Sequence, residues 1–477
     1  MAPSHEAGTL HAPGSGQTAI VPSWLRAPDD VNELLPALWA RTVERGADGA
    51  LRVGGASVAD LAATHGTPLF VLDEVDFRAR ATAFRDAFAD AFADLCGGAD
   101  VYYAAKSFMA TGVGRWLAED GLSLDAASAG EMELGLRGGV PGSRIAFHGN
   151  NKSRAELRGA LERGVGRVVV DNLTEVEVLA DVARELGVVA PVMIRVTVGV
   201  EAHTHSYIAT AHEDQKFGLS LAGGGAEAAV AAVLARPELR LLGLHSHIGS
   251  QIFDMSGFEV SARRLLGLHA RVEREHGVAM PEVDLGGGYG MAYTSEHEPL
   301  APAEIAGRLA QIVERECRAE GVAVPRVSVE PGRSISGPST FTLYEVGNVK
   351  DVELGGGASR RYVAVDGGMS DNIRTALYDA DYSATLASRH SAAPAVLSRV
   401  VGKHCESGDV VVKDEFLPGD TGRGDLVAVP GTGAYCRSMA SNYNQLPRPG
   451  VVAVRDGAAR VLVRRETPED LLALDAG

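Results

Sequence analysis

The chain has 477 residues, 45% of them hydrophobic and 22% charged, with a formal net charge of -17. This length supports a large core and two domains, and an acidic balance without any Lys/Arg block excludes a nucleic-acid footprint or a basic membrane-surface helix. No apolar run reaches the roughly 18 to 20 residues that span a bilayer, and Cys96, Cys317, Cys405 and Cys436 show no CxxC spacing, which suits reduced thiols in a cytoplasmic protein.

In chain order, residues 1–22 are rich in Ala, Pro, Ser, Gly and His and lack the basic start and apolar stretch of a signal peptide, so they read as a disordered tail. Residues 23–71 form an N-terminal segment that joins a later β domain; it holds an amphipathic stretch and the strand-like TPLFVLDE. A helical stretch from Phe77 to Phe92 then precedes eight short apolar runs that each end in polar or glycine residues. They are VYYAAK from Val101, LSLDAAS from Leu122, RIAFHGN from Arg144, RVVVDN from Arg167, PVMIRV from Pro191, LLGLHSHIGSQ from Leu241, EVDLGGGYG from Glu282 and RVSVEPGRSI from Arg326. Such runs are too short and too β-branched for buried helices and read as buried parallel strands. Helical stretches at Thr174 to Leu186, Gly257 to His276 and Pro302 to Glu320 fill intervals between them. The alternation predicts a (β/α)8 TIM-type barrel over residues 72–335, with reactive groups on the loops at the C-terminal strand ends. The interval from Gly199 to Leu221 is long for such a connection and, with His203 and His205, is a candidate lid or ligand loop. Over 336–477 the helical spacing stops and short alternating runs such as TFTLYEVGNVKDVEL, RRYVAVDGG, AVLSRVVGKH and DVVVKDEFL predict a C-terminal β domain.

The strand ends carry the candidate chemistry. Lys106 closes the first run. A lone lysine there is surface decoration in most proteins, but one partly desolvated at a barrel mouth can form a Schiff base with an aldehyde cofactor such as pyridoxal phosphate. Asp125 ends the second run. Gly286, Gly287 and Gly288 follow the seventh and Gly332 the eighth, the two loops where barrels commonly hold phosphate; either turn alone would be weak evidence. Glu330 would lie beside the same site, where a carboxylate can keep a pyridine nitrogen protonated; a salt bridge to Arg333 is the plainer reading. His245 and His247 stand two apart on one strand and should point to opposite faces. That spacing weakens a shared zinc site, for which no third ligand is obvious; His247 suits stacking on a flat cofactor, His245 a hydrogen-bonded core position, and Ser250 a phosphate oxygen. In the β domain, GKHCESGD places Cys405 beside Glu406 in a charged, open setting that suits proton transfer, and GMSDNIRTALY carries Arg374 and Tyr378.

Taken in order from about Val53 to Leu446, the strings YAAK, HSHIGSQ, DLGGGYG, EPGRSI, MSDNIRTALY, CESGD and GAYCRSMASNYN resemble those of the fold-type III pyridoxal-phosphate decarboxylases, and within them the diaminopimelate branch. The resemblance implies an alanine racemase-like architecture of barrel plus β domain. It implies pyridoxal 5'-phosphate held by Lys106, Asp125, His247, Ser250, the glycine run, Glu330, Gly332, Arg333 and Tyr435, with no metal. Lys106, His247 and Cys405 would be catalytic, Cys405 donating a proton to the site of its partner in a homodimer. Arg333, Arg374, Tyr378, Glu406 and Tyr435 would hold the distal amino-acid end of meso-2,6-diaminopimelate as it loses carbon dioxide to give L-lysine. An arginine opposite the pyridine nitrogen, as in racemases of this architecture, would weaken the electron sink; Glu330 favours decarboxylation. The alternatives are a decarboxylase of another basic amino acid or carboxylated polyamine, and an inactive cofactor-binding regulator, which intact Lys106 and Cys405 disfavour. Lys403 and His404 depart from the proline or neutral residues common beside the cysteine in this family.

Overall fold

The structure is a computed structural model that describes residues 20–199, 216–355 and 357–477. The tail expected at 1–22 lies almost wholly outside the described residues, as does most of the 199–221 loop with both of its histidines. The chain divides into two compact units, one of Arg78–Gly290 with Pro299–Ile335, the other of the residues up to Phe77, Met291–Glu298 and Ser336–Gly477.

The first unit is a closed barrel of eight parallel strands, Ala99–Ala104, Ser123–Ala126, Ile145–Phe147, Arg167–Val170, Ala190–Thr197, Leu239–His245, Glu282–Asp284 and Arg326–Val329. The eighth strand pairs with the first, Val327 opposite Ala99. Leu124, Val168, Val192, Leu244, Val283 and Val327 are wholly buried, as parallel strands covered on both faces require. Capping and stripe chemistry set the surrounding helices. Leu173–Leu186 starts where the Asn172 side chain accepts the Glu175 N–H and stops at Gly187 with φ 67°. Pro302–Glu320 opens on a proline, buries Ile305, Leu309, Ile312, Val313 and Cys317 along one stripe, and ends at left-handed Gly321. At the N-terminal ends of the strands Arg167 is buried, its guanidinium 3.3 Å from Glu282 and 3.6 Å from Asp284, and it stacks on the Tyr102 ring at 4.1 Å. A buried charge needs such partners.

The second unit is built on a nine-stranded sheet in the order Val410–Pro418, Ala395–Val401, Ala358–Val365, Thr340–Gly355, Leu69–Asp73, Gly450–Arg455 and Ala458–Val463, with Leu426–Pro430 and Thr385–Leu386 off that path. Leu69–Asp73 pairs with both Thr340–Gly355 and Gly450–Arg455, which places the N-terminal segment in the middle of this sheet. Its core includes Leu38, Trp39, Leu51, Val53, Val71, Phe341, Leu343 and Val452. Two points differ from the sequence reading. Met291–Glu298 belongs to this unit and not to the barrel, because Ala292 packs into that core. The N-terminal segment also runs past 71, to Phe77, and Asp73 at the end of its strand accepts from the Thr42 backbone and hydroxyl.

Candidate active site

At the barrel's C-terminal face the first strand stops at Ala104, and a turn closed by the Ser107 N–H on the Ala104 carbonyl carries Lys106. Lys106 therefore stands two residues beyond the strand, not at its end, and its side chain is 42% exposed, partly withdrawn from solvent. Its Nζ lies 3.5 Å from the Asp125 carboxylate, which is buried at the end of the second strand.

Behind this pair lies a buried cluster that the motif reading saw only in part. Glu330 Oε1 sits 3.0 Å from His148 Nε2 and 3.2 Å from His245 Nε2, and His148 Nε2 is also 3.6 Å from Asp125. Burial opposes charge on Glu330, but the two imidazoles outweigh it and hold the carboxyl well below its ordinary range. Burial likewise opposes a proton on His148, yet Asp125 and Glu330 lift it above the usual imidazole value. The distances are those of hydrogen bonds, but the alignment is poor. Glu330 Oε1, His148 Nε2 and both ring nitrogens of His245 stay buried without a hydrogen bond among the described residues. One possible ligand atom from each of these three residues lies within 4.8 Å of the others; His247 is not among them, so the cluster that forms is not the His245 and His247 pair weighed from spacing. His245 is not the plain core histidine expected.

The glycine run is demanded first by packing. A Cβ on Gly287 would fall 2.0 Å from the Glu330 carbonyl oxygen, and one on Gly288 2.2 Å from that of Gly249. The backbone N–H of Gly286 donates to Asp284 Oδ1 and that of Gly287 to His247 Nδ1. Two of the three amides thus turn inward, which leaves Gly288 as the amide of the run to consider for an anion. The bond from Gly287 puts the His247 proton on Nε2, and burial, with Lys106 and Arg195 nearby, holds the ring well below its ordinary pKa even though an edge stays open. The Arg333 guanidinium donates through Nε and Nη2 to Ser250 Oγ, at 3.2 and 3.0 Å. Arg333 is buried, and it bonds Ser250 rather than pairing with Glu330.

In the β unit, the short helix Arg374–Tyr378 presents Arg374 to a ring of aromatics. Its guanidinium carbon is 5.6, 5.4 and 5.7 Å from the ring centres of Tyr293, Tyr378 and Tyr435, and its Nε donates to the Tyr382 hydroxyl at 2.9 Å. Arg374 is only 6% exposed, and no carboxylate of the described residues pairs with it. Cys405 and Glu406 lie exposed in the loop between Ala395–Val401 and Val410–Pro418.

Residues 76–337 match the family described as pyridoxal-dependent decarboxylase, pyridoxal binding domain. Over 99% of both chains the sequence is 52% identical to the diaminopimelate decarboxylase of Mycobacterium leprae. This chain belongs to the diaminopimelate decarboxylases. It is 44% identical to the diaminopimelate decarboxylase of Bacillus subtilis over 90% of this chain and 95% of that one. A diaminopimelate decarboxylase of M. jannaschii, solved in co-complex with L-lysine, superposes with a TM-score of 0.85 at 30% identity, covering 92% of this chain and 99% of the other. Membership in the diaminopimelate decarboxylases also explains why the barrel motifs converge. Lys106, Asp125, His247, Ser250, Gly286, Gly287, Gly288, Glu330, Gly332 and Arg333 all belong to the barrel unit, and Arg374, Tyr378, Cys405, Glu406 and Tyr435 to the β unit. Sequence reasoning missed His148, although it directly follows the third strand in RIAFHGN, at the same C-terminal strand ends that carry Lys106 and Asp125. It also missed Tyr293 and Tyr382, for which no motif or periodicity gives a signal.

Proposed function

We propose that this chain catalyses the pyridoxal 5'-phosphate-dependent decarboxylation of meso-2,6-diaminopimelate to L-lysine and carbon dioxide. The observation that carries the choice of substrate is Arg374. A guanidinium buried among tyrosines without a carboxylate partner lacks the counter-ion that burial calls for, and cation–π contacts offset only part of that cost. A substrate with a carboxylate at its far end supplies the missing anion; ornithine or arginine would not.

The barrel residues fit the cofactor. The poorly bonded buried Glu330 Oε1 suits a protonated ring nitrogen, and an ionised Glu330 is the group to keep it protonated. Ser250 and Arg333, with the amides of Gly288 and Gly332, form the anion-binding set, and the neutral His247 ring offers a flat face. Lys106 Nζ is the amine that holds the aldehyde, with Asp125 beside it. When bound, the cofactor supplies an electron sink for the pair left on the carbon that loses its carboxyl group. In the proposed reaction Arg374, with Tyr378 and Tyr435, orients the distal carboxylate, and Glu406 accepts from the distal ammonium. Cleavage releases carbon dioxide, and Cys405 Sγ–H returns a proton to the same carbon. We assign Cys405 to the site of the partner in a homodimer.

The test is carbon dioxide release from meso-diaminopimelate, L-lysine, L-ornithine and L-arginine in parallel with added pyridoxal phosphate. Release from diaminopimelate alone is the expected outcome, and preference for any of the other three refutes the assignment.

A further inference from the structure

Next to the cysteine, in a position the family motif does not explain, stands a histidine that is only 8% exposed while Lys403 and Cys405 on either side are exposed. We propose that His404 is a positioning residue that clamps the Cys405 loop; the proposal rests on the reading of Cys405 as proton donor. The clamp joins three loops of the β unit, those of residues 367–373, 402–409 and 441–445.

Two backbone donors assign its chemistry. The Cys405 N–H donates to Asn444 Oδ1 at 3.1 Å, which sets the orientation of that carboxamide. The Ser370 N–H donates to His404 Nε2 at 3.3 Å, which requires a lone pair there and so puts the ring proton on Nδ1. That proton then points to Asn444 Oδ1, 3.3 Å away, so one oxygen receives both the cysteine's own amide and the neighbouring imidazole. The Ser370 hydroxyl, 2.9 Å from Nε2, completes the ring's partners.

The surroundings hold the same geometry. The His404 N–H donates to Asp409 Oδ2 at 2.7 Å, and the Met369 N–H to Asp409 Oδ1 at 2.6 Å. The Lys403 N–H reaches the Gly367 carbonyl, and the Ser441 N–H the Ser370 carbonyl. Tyr443 lies against the imidazole with ring centres 5.3 Å apart. Asn444 adopts φ 52°, a left-handed conformation that asparagine tolerates better than most residues and that lets its side chain turn back onto the cysteine peptide. A network in which every donor has one acceptor is rigid, and rigidity is what an exposed thiol needs to deliver a proton to one carbon.

The experiment uses the full-length holoenzyme with His404→Leu, Asn444→Gly, the double variant and His404→Gln. Glycine is chosen at 444 because it keeps the left-handed backbone while deleting the carboxamide. Each single change should lower kcat about 10- to 100-fold, the scale for a misplaced reacting group, with KM and melting temperature near wild type. Iodoacetamide should alkylate Cys405 of the resting holoenzyme faster in both, as mapped by peptide mass spectrometry. The double variant should be no slower than the worse single one, because both act through the same peptide. His404→Gln returns an acceptor toward Ser370 and should recover part of kcat. Unchanged kcat, unchanged Cys405 alkylation, or a loss of kcat that follows a fall in melting temperature overturns the proposal. A fully active Cys405→Ala enzyme would refute the donor reading instead, while the alkylation rates still decide whether the clamp exists.

Discussion

Glu330 just after the eighth barrel strand lies 3.0 Å from the imidazole of His148 after the third, and this pairing, with His245 edge-on to His148 and 3.2 Å from the same oxygen, holds a buried carboxylate ionised against the pull of burial toward its protonated form. The barrel topology brings together groups that are 182 residues apart along the chain, from His148 to Glu330.

Glu330→Gln keeps the shape of the side chain and removes its charge. The variant should still bind pyridoxal phosphate and show the cofactor's absorbance, while kcat falls by about 100- to 1,000-fold, the effect of removing one preorganised electrostatic group. Steady-state kinetics with spectrophotometric cofactor titration checks this. A near-normal kcat would mean that Glu330 does not face the ring nitrogen.

Arg374→Ala should leave cofactor binding intact and reduce kcat/KM for diaminopimelate by about 2 to 4 kcal/mol of transition-state stabilisation, the scale for removing one partner of a buried charge pair. An unchanged value would assign the distal carboxylate to another residue.

Asp371, three residues before Arg374, has its carboxyl pushed up to about 7, chiefly by burial, with Asp366 and Asp409 adding repulsion against the Tyr344 hydroxyl and the Gly368 N–H that donate to it. The folded state therefore binds this proton more tightly than the unfolded chain does. Its contribution is complete below the unfolded carboxyl value of 3.8 and is lost as pH rises toward about 7. Asp371→Asn cannot titrate, and its carboxamide can donate to Tyr344 while accepting from Gly368. The melting temperature of the wild type relative to this variant should fall between about pH 4 and about pH 7. A difference independent of pH would show that Asp371 titrates normally.

Much of this arrangement was legible in the sequence, and what was not has physical causes. The barrel strands were readable because burial on both faces enforces unbroken apolar runs, and the helix from Pro302 to Glu320 because proline and glycine mark its ends. Thr385–Leu386 was not, because so short a strand exists only through its pairing with Val427 and Ala428. The excursion at Met291–Glu298 left no periodic trace. The glycine run was read as a set of amides open to phosphate, whereas close approach to Glu330 and Gly249 already demands glycine there. The aromatic cage of Arg374 joins Tyr293, Tyr378, Tyr382 and Tyr435, a tertiary grouping that no local pattern encodes.

The proposed sharing of sites between subunits gives a counting prediction. Lys106→Ala and Cys405→Ala homodimers should each be severely impaired. After the two are unfolded, mixed in equal amounts and refolded, about a quarter of all sites should regain function, because half the dimers are hybrids and one site of each is intact. A mixture that stays inactive although mass spectrometry detects hybrids would place Cys405 at its own chain's site or remove it from the reaction.

The most direct measurement is the reaction of meso-diaminopimelate in deuterium oxide, with carbon dioxide quantified and the amino acids analysed by mass spectrometry and NMR. The account predicts one equivalent of carbon dioxide for each L-lysine formed, with a single deuterium on the carbon that lost its carboxyl group. Deuterium entering recovered diaminopimelate without carbon dioxide release, or no turnover despite bound cofactor, would contradict it.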